Sequence, residues 1–269
     1  MSINYRSFFG MTGEAFPTDI SLRDILETQD IAAIKERFLY TVRLGAVATL
    51  TGEVGSGKST ALRYVISKLH PSAYKTVWIT ACSGSILEFY RLFLAELGTP
   101  MAGSSKAIMV RLIKKAVREI VLERKMKIVL VIDEASLMRM EVFAELHTIT
   151  LFEQDSKPWL PIILTGRSNL IDKLMYQTSA PLASRIVARS HMEPVSRQEM
   201  EHYLSHHMTL AGMKTMIFDD AAITAVHQGS GGIFRKANHL ARGALIAAAH
   251  SQSTLVSADH VRLAATEIF

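Results

Sequence analysis

A glycine-rich segment beginning at Gly52 has the residue types and spacing needed to hold a chain of phosphates. Gly52 is followed by four residues and then by Gly57, Lys58 and Ser59, between a predicted strand and a predicted helix. Glycines let backbone N–H groups approach phosphates, and the positive end of the following helix favours the same charge. We predict that this P-loop contacts a nucleotide through Gly52, Glu53, Val54, Gly55, Ser56, Gly57, Lys58, Ser59 and Thr60. The alternative is a glycine-rich turn that matches by chance.

Lys58 and Ser59 are side chains suited to ATP and Mg²⁺. In such loops the lysine reaches the β and γ phosphates, and the serine hydroxyl takes one place in the octahedral shell of Mg²⁺. Asp133 and Glu134 close a later apolar strand. We expect Asp133 to hold Mg²⁺ through water and Glu134 to polarise the attacking water, which favours ATP hydrolysis over mere binding. Alternatively, an acidic pair at the end of a strand caps the next helix.

Apolar runs and helical patterns alternate through the first part of the chain, which predicts an α/β fold with a doubly wound parallel sheet. The predicted strands are residues 46–50, 76–80, 128–132 and 160–164. Beyond about residue 194 only helical patterns remain, which predicts an all-helical lid. We expect an N-terminal extension packed on the core at 1–44, a nucleotide-binding α/β domain at 45–194 and a helical lid domain at 195–269.

The composition fits a soluble protein of a reducing compartment. Hydrophobic residues make up 49% of the 269 residues, and Cys82 is the single cysteine, which excludes an internal disulfide framework. We interpret Cys82 as a small buried residue. No apolar run approaches the ~18 residues that span a bilayer, and residues 1–10 lack the pattern of a signal peptide. We therefore expect a cytoplasmic protein with no direct membrane insertion.

A predicted helix from residue 106 to about residue 124 has an excess of positive charge. Its cations and those just after it are Lys106, Arg111, Lys114, Lys115, Arg118, Arg124, Lys125 and Lys127, in a chain of formal net charge +5. One interpretation is nonspecific, salt-dependent binding of DNA or RNA phosphates. The other is a solvated helix face whose long side-chain stems cover apolar surface.

Four segments resemble one family, the AAA+ ATPases of the ExeA or general secretion pathway A type, which are related to the transposition helpers TniB, IstB and MuB. The segments are Phe8-Phe9-Gly10 followed by Phe16, Leu50 to Ser59, Val131 to Ala135, and Ser230 to Arg235. The first and last are less generic than the P-loop, and the resemblance extends over nearly the whole chain. It implies a P-loop AAA+ fold with a C-terminal helical lid. The chain departs from the family at Phe234, where proline is usual, and at Ser136-Leu137, where Gln-Asn is usual.

The resemblance also implies further site residues. In such families the strand predicted at 160–164 delivers a polar sensor toward the γ phosphate, which here falls on Thr165 or Asn169. Arg235 matches the sensor-2 arginine of the lid, which reports the nucleotide by bridging the lobes. Arg185 matches the arginine finger that one subunit supplies to its neighbour, with Arg189 as its rival. For each arginine the alternative is an ordinary surface residue.

An arginine finger implies assembly, so we expect a homo-oligomer, either a ring or a filament. The resemblance implies two roles that ATP hydrolysis could serve. In the first, the chain is a transposition helper that assembles nonspecifically on duplex DNA and recruits or activates a transposase. In the second, it is an ExeA-type secretion-pathway ATPase that acts with a membrane partner. A signalling switch with slow hydrolysis is a third class.

Overall fold

The computed structural model describes residues 4–100, 103 and 105–268. Numbered in chain order, its helices and strands are α1 (Tyr5–Phe9), α2 (Gln29–Leu44), β1 (Val47–Gly52), α3 (Lys58–Ser67), β2 (Tyr74–Thr80), α4 (Ile86–Leu97), α5 (Lys106–Arg118), β3 (Lys127–Asp133), α6 (Met140–Thr150), β4 (Ile162–Gly166), α7 (Asn169–Met175), α8 (Ala180–Ala183), β5 (Ile186–Met192), α9 (Arg197–Leu210), α10 (Asp220–Ser230), α11 (Phe234–His250) and α12 (Ala258–Ile268). A π-helical turn, Glu119–Glu123, extends α5, and 3₁₀ turns occupy Leu22–Asp24, Ala135–Leu137 and Gln177–Ser179.

The five strands form one parallel sheet in the order β2-β3-β4-β1-β5. Residues 128–132 of β3 are completely buried, as expected of an apolar central strand covered on both faces. Leu164 of β4 pairs with Ile132 of β3, and the next residue, Thr165, pairs with Leu50 of β1. The predicted α/β fold with a doubly wound parallel sheet is confirmed, because helices connect these strands.

Strand β5 was not among the predicted strands. Val187, Arg189 and His191 are exposed, whereas the intervening side chains and Met192 are buried. The strand lies at the edge of the sheet and has only one covered face. Its sequence therefore lacks the continuous apolar run that marked the other strands.

The chain divides into two compact units. The sheet unit contains residues 27–52 and 58–192, and the helical unit contains residues 4–26, 53–57 and 193–268. The predicted extension, residues 1–44, is divided between them in this arrangement. Residues 4–26 pack with the C-terminal helices, whereas α2 packs against β1 and β5, because each segment has its own apolar partners.

Phe16 and His207 join the N-terminal segment to α9 within the helical unit. Phe16 is fully buried, and its ring stacks on the imidazole of His207 with centroids 5.2 Å apart. His207 Nδ1 donates a hydrogen bond to the Ala15 carbonyl oxygen at 2.9 Å, because a carbonyl can only accept. The Thr12 N–H donates to the Ala211 carbonyl oxygen, also at 2.9 Å. The phenylalanine-containing opening segment therefore completes the core of the helical unit.

Protonation of His207 should destabilise the protein in mildly acidic solution. Burial lowers the pKa of His207 from 6.5 to about 4, so the unfolded chain takes up this proton more readily than the folded chain. The stabilisation is complete above pH 6.5 and is lost as the pH falls from 6.5 toward 4. The lost free energy of unfolding is about 3 kcal/mol at about 1.4 kcal/mol per pKa unit.

Urea unfolding at about pH 7.5 and about pH 5 measures the part of this loss that occurs above pH 5, which is about 2 kcal/mol. A His207→Phe variant should lose clearly less stability between the two pH values than the unmodified chain. The exposed His250 offers a matched control, because His250→Gln should leave the pH dependence unchanged. Equal pH dependence in His207→Phe and the unmodified chain would contradict this role of His207.

Candidate nucleotide site

Three neighbouring strands end at the same edge of the sheet. β1 runs into the P-loop, β3 ends at Asp133, and β4, which lies between them, ends at Gly166. Ligands of open α/β sheets bind outside the carboxyl ends of the strands, so this edge is the place where a nucleotide is expected.

Ser59 and Asp133 are held together at this edge. Ser59 Oγ donates a hydrogen bond to Asp133 Oδ2 at 2.8 Å, and the Glu134 N–H donates to Asp133 Oδ1 at 3.0 Å. Asp133 is only 8% exposed. A hydroxyl and a carboxylate in contact form the oxygen donor set that Mg²⁺ takes beside nucleotide phosphates, so these residues fit the ion.

Lys58 is buried at the start of α3. Its Nζ donates a hydrogen bond to the Gly52 carbonyl oxygen at 2.9 Å, and the residue is only 6% exposed. A buried ammonium group needs polar partners of this kind, because burying an unpaired charge is costly. The Lys58 ammonium group is thus held at the carboxyl end of β1, where phosphates are expected.

The middle of the P-loop belongs to the helical unit and requires glycine at Gly55. Gly55 has a φ of +86°, and an added Cβ would lie 2.6 Å from Arg235 Cβ. The Arg235 N–H also donates to the Gly55 carbonyl oxygen at 3.1 Å. Ser56 Oγ is buried, and no described residue gives it a hydrogen-bond partner. The loop therefore contains a buried hydroxyl without a hydrogen-bond partner among the described residues, at Ser56. At Gly55 it has a backbone conformation that favours glycine.

Glu134 has a left-handed backbone conformation, with φ 54° and ψ 34°. Such a conformation is unfavourable for a residue with a Cβ and is typically retained at functional sites. The residue is half-buried and directly precedes the 3₁₀ turn Ala135–Leu137. The chain thus turns sharply immediately after the strand that carries the acidic pair.

The two sensor candidates differ in environment. Thr165 is fully buried in β4, and its Oγ1 has no hydrogen-bond partner among the described residues. Asn169 is exposed at the first residue of α7. A buried hydroxyl without a partner can donate a hydrogen bond to a ligand oxygen, but the choice between Thr165 and Asn169 as the sensor stays a prediction.

The arginine candidates lie in three different environments. Arg235 is exposed at the start of α11, in the helical unit. In the sheet unit, Arg185 Nη2 forms an ion pair with Asp155 Oδ2 at 2.5 Å. Arg189 is exposed on the edge strand β5. Their roles stay predictions that depend on a neighbouring subunit or a bound nucleotide.

Helix α5 and its extension carry the predicted basic face, but its cations are not equivalent. Lys106 is ion-paired with Glu145. Lys114 Nζ donates to the Leu151 carbonyl oxygen at 3.0 Å, and partial burial together with Arg118 lowers its pKa. The cations that line the solvent side of α5 are Arg111, Lys115 and Arg118, beside an open groove of about 890 Å³. Lys115 also forms an exposed ion pair with Glu119 at 3.7 Å.

Cys82 is exposed, so its interpretation as a buried residue was wrong, because it follows β2 in a loop and not in the strand. Within the described ranges, no helix is both long enough and apolar enough to span a bilayer. The same residues contain no group of three or more His, Cys, Asp or Glu side chains that could hold a metal ion.

Lys173 of α7 also contacts the loop after β3, and no sequence motif pointed to it. Its Nζ donates to the carbonyl oxygens of Ser136 and Met138, at 2.6 and 2.7 Å. Lys173 could be identified from the sequence only if the packing of α7 beside this turn were already known. That packing depends on the order of the strands in the sheet.

Known proteins resemble this chain in sequence. Residues 43–174 match the family model described as AAA domain. General secretion pathway protein A of Aeromonas hydrophila is 29% identical over 269 residues, which cover 98% of this chain and 48% of the relative. The chain therefore spans about half the length of this curated relative.

Solved structures show the same fold at low sequence identity. Cdc6p from Pyrobaculum aerophilum has a TM-score of 0.72 at 16% identity, over 98% of this chain and 71% of that chain. The Aeropyrum pernix ORC1 protein in complex with DNA has a TM-score of 0.71 at 17% identity, over 94% and 68%. The Thermotoga maritima RuvB Holliday junction branch migration motor has a TM-score of 0.58 at 17% identity, over 94% and 73%.

Gly55→Ala should weaken nucleotide binding at least tenfold. The left-handed backbone costs an alanine about 1–2 kcal/mol, and the added Cβ would also displace the loop from Arg235. Titration with a fluorescent ATP analogue measures the affinity. Gly98→Ala is the matched control, because Gly98 has a φ of +70° with nothing within 4 Å of the added Cβ, and lies outside the loop. Equal affinities of the two variants would contradict a special role for Gly55.

Proposed function

We propose that the protein hydrolyses ATP with Mg²⁺ and that ATP controls its binding to duplex DNA. The match of residues 43–174 to the AAA domain model and the AAA+ P-loop fold of the chain support the hydrolysis. In this proposal the protein is a transposition helper, which recruits or activates a transposase in the cytoplasm. The observation that carries the DNA role is the exposed cationic side of α5.

The proposed chemistry uses the contacts at the carboxyl edge of the sheet. Lys58 and the P-loop N–H groups bind the phosphates, while Ser59 and Asp133 hold Mg²⁺. When bound there, Mg²⁺ would supply positive charge to offset the negative charge that develops on the phosphates. Glu134 accepts a hydrogen bond from the attacking water and aligns it, and Thr165 donates its hydroxyl toward the γ phosphate.

A second copy would complete this site. We assign Arg185 as the arginine that reaches a neighbour's nucleotide, and Arg235 as the arginine that contacts nucleotide from the lid, both on the family resemblance. In a single copy Arg185 is paired with Asp155, so it must leave this partner to act in an oligomer. Positive charge supplied by a neighbour stabilises the transition state only after assembly.

Arg185→Ala should lower the steady-state rate of ATP hydrolysis by about 10³-fold, because loss of an arginine finger has an effect of that order. A Lys58→Ala variant should also be inactive, since it lacks the phosphate-binding lysine. Mixing equal amounts should restore activity to about a quarter of that of the unmodified chain, because one pairing in four joins an intact P-loop to an intact finger across a head-to-tail interface.

Arg189→Ala is the matched variant for this experiment. If Arg189 is the finger instead, Arg189→Ala will be the inactive variant that complements Lys58→Ala, and Arg185→Ala will retain its activity. A mixture that stays as inactive as its two parts would contradict a site shared between subunits.

The DNA role follows from charge and assembly together. Arg111, Lys115 and Arg118 lie on the solvent side of α5, spaced so that they share one face of the helix. Each copy would contribute a few phosphate contacts, which is a weak interaction. ATP-dependent assembly of several copies would bring several of these helix faces to the same DNA. The affinity of the assembly for DNA would then rise through multivalency. No feature of α5 reads bases, so the proposed binding is nonspecific.

A triple variant, Arg111→Ala with Lys115→Ala and Arg118→Ala, should lose ATP-dependent retention on duplex DNA. Loss of three phosphate contacts should also flatten the slope of log affinity against log salt by roughly 3 × 0.9. Pelleting with DNA in the presence and absence of ATP, at several salt concentrations, measures both quantities. ATP hydrolysis without DNA should stay unchanged.

The control removes the same charge elsewhere, through alanine at Arg43, Lys157 and Lys214, which are exposed. If this control loses as much binding as the α5 variant, net charge and not the α5 face holds the DNA. If the unmodified chain shows no ATP-dependent retention, the DNA role is wrong.

One observation favours a second candidate function. The match to general secretion pathway protein A covers 98% of this chain, which supports an ExeA-type ATPase that works in secretion with a membrane partner. Affinity purification from detergent-solubilised cells separates the candidates. Recovery of a membrane protein, together with no retention on DNA, would favour the secretion role, whereas recovery of a transposase would favour the first proposal.

A further inference from the structure

Lys173 binds the turn that follows the acidic pair. Its Nζ lies 2.6 Å from the Ser136 carbonyl oxygen and 2.7 Å from the Met138 carbonyl oxygen. These carbonyls belong to the middle residue of the 3₁₀ turn Ala135–Leu137 and to Met138, the residue after the turn. The last carbonyls of a helical turn lack partners within the turn, and a cation at that end is stabilising.

The turn needs such support because of Glu134. The left-handed conformation of Glu134 is unfavourable and persists only when surrounding contacts determine it. The Leu137 N–H donates to the Glu134 carbonyl oxygen at 2.9 Å, so the position of the turn is coupled to the backbone of Glu134. Lys173 binds the carbonyl oxygens of Ser136, in the middle of this turn, and of Met138, just after it.

A second set of contacts joins the same turn to the end of β4. An added Cβ at Gly166 would lie 2.9 Å from the Ser136 backbone nitrogen, so the two backbones are in close contact. The Arg167 N–H donates to Ser136 Oγ at 3.4 Å, and Ser136 is only 4% exposed. Thr165, with its buried and unpartnered hydroxyl, directly precedes Gly166. The turn after β3 and the segment after β4 are therefore held as one assembly.

We propose that Lys173 is a positioning residue for ATP hydrolysis. By binding the two carbonyls, it holds the backbone of Glu134 in the conformation that places its carboxylate at the reacting phosphate, in fixed relation to Thr165. The inference rests on the proposed role of Glu134 as the residue that aligns water. It does not depend on DNA binding, and Lys173 itself does not contact the nucleotide.

Lys173→Met tests this inference, because methionine keeps the length of the stem and removes the hydrogen-bond donors. The kcat for ATP hydrolysis should fall roughly 10–100-fold, the range seen when groups that orient a reactive residue are lost. The affinity for a nonhydrolysable ATP analogue should change less than about twofold, since a change confined to kcat marks loss of transition-state stabilisation. Lys173→Arg, which keeps the cation, should recover part of the rate.

A double-mutant cycle with Glu134→Gln separates positioning from a general structural role. If Lys173 acts through Glu134, Lys173→Met should cause less than about a twofold further loss in the Glu134→Gln background, because the two effects are not additive. A structural role would produce the same fold loss in both backgrounds and lower nucleotide affinity as well. Glu134→Gln alone reports on the proposed function, since full activity in that variant would refute the assigned role of Glu134 independently of Lys173.

Lys157→Met is the matched control, because Lys157 is an exposed lysine of the same unit outside the turn. Its kcat should equal that of the unmodified chain. If Lys173→Met does not fold, Lys173→Leu, which also lacks hydrogen-bond donors, takes its place in the cycle with the same expected outcome. A kcat within about twofold of the unmodified chain, or an equal fold loss with and without Glu134, would overturn the inference.

Discussion

The hydrogen bond between Ser59 and Asp133 is the contact on which the nucleotide site depends. It joins the first turn of α3 to the end of β3 across 74 residues of sequence, although β4 lies between β1 and β3 in the sheet. The bond requires all three strands to end at the same edge. The parallel pairing of β4 with both neighbours and the complete burial of the β3 core provide that alignment.

Most of the sheet could be predicted from the sequence because burial on both faces leaves a simple pattern. The apolar run of β3 is short and rich in valine and isoleucine, which favours a buried parallel strand, and glycine spacing marks the loop after β1. Strand β5 was not predicted because an edge strand with one covered face mixes polar and apolar residues, as Arg189 and His191 show. Cys82 was misplaced for a related reason, since residue type indicates burial less well than position in a loop does.

The site was predictable where chemistry depends on neighbours in sequence and not where it depends on neighbours in space. The P-loop and the acidic pair of Asp133 and Glu134 are local patterns. Spacing could not distinguish Thr165 from Asn169, because the difference between them is burial and an unmet hydrogen bond. Nor could it find Lys173 or the partner of Arg185, since both contacts join segments whose proximity is set by the fold.

The packing of residues 4–26 with residues 193–268 has a consequence for synthesis of the protein. The segment that contains Phe16 leaves the ribosome before the sheet unit, but its partners on α9 and α11 leave about two hundred residues later, after the sheet unit. Domains generally fold as units in the order of their synthesis. Here the sheet unit can fold on the ribosome while the segment with Phe16 stays uncovered, so Phe16 is a target for chaperones until α9 and α11 have left the ribosome.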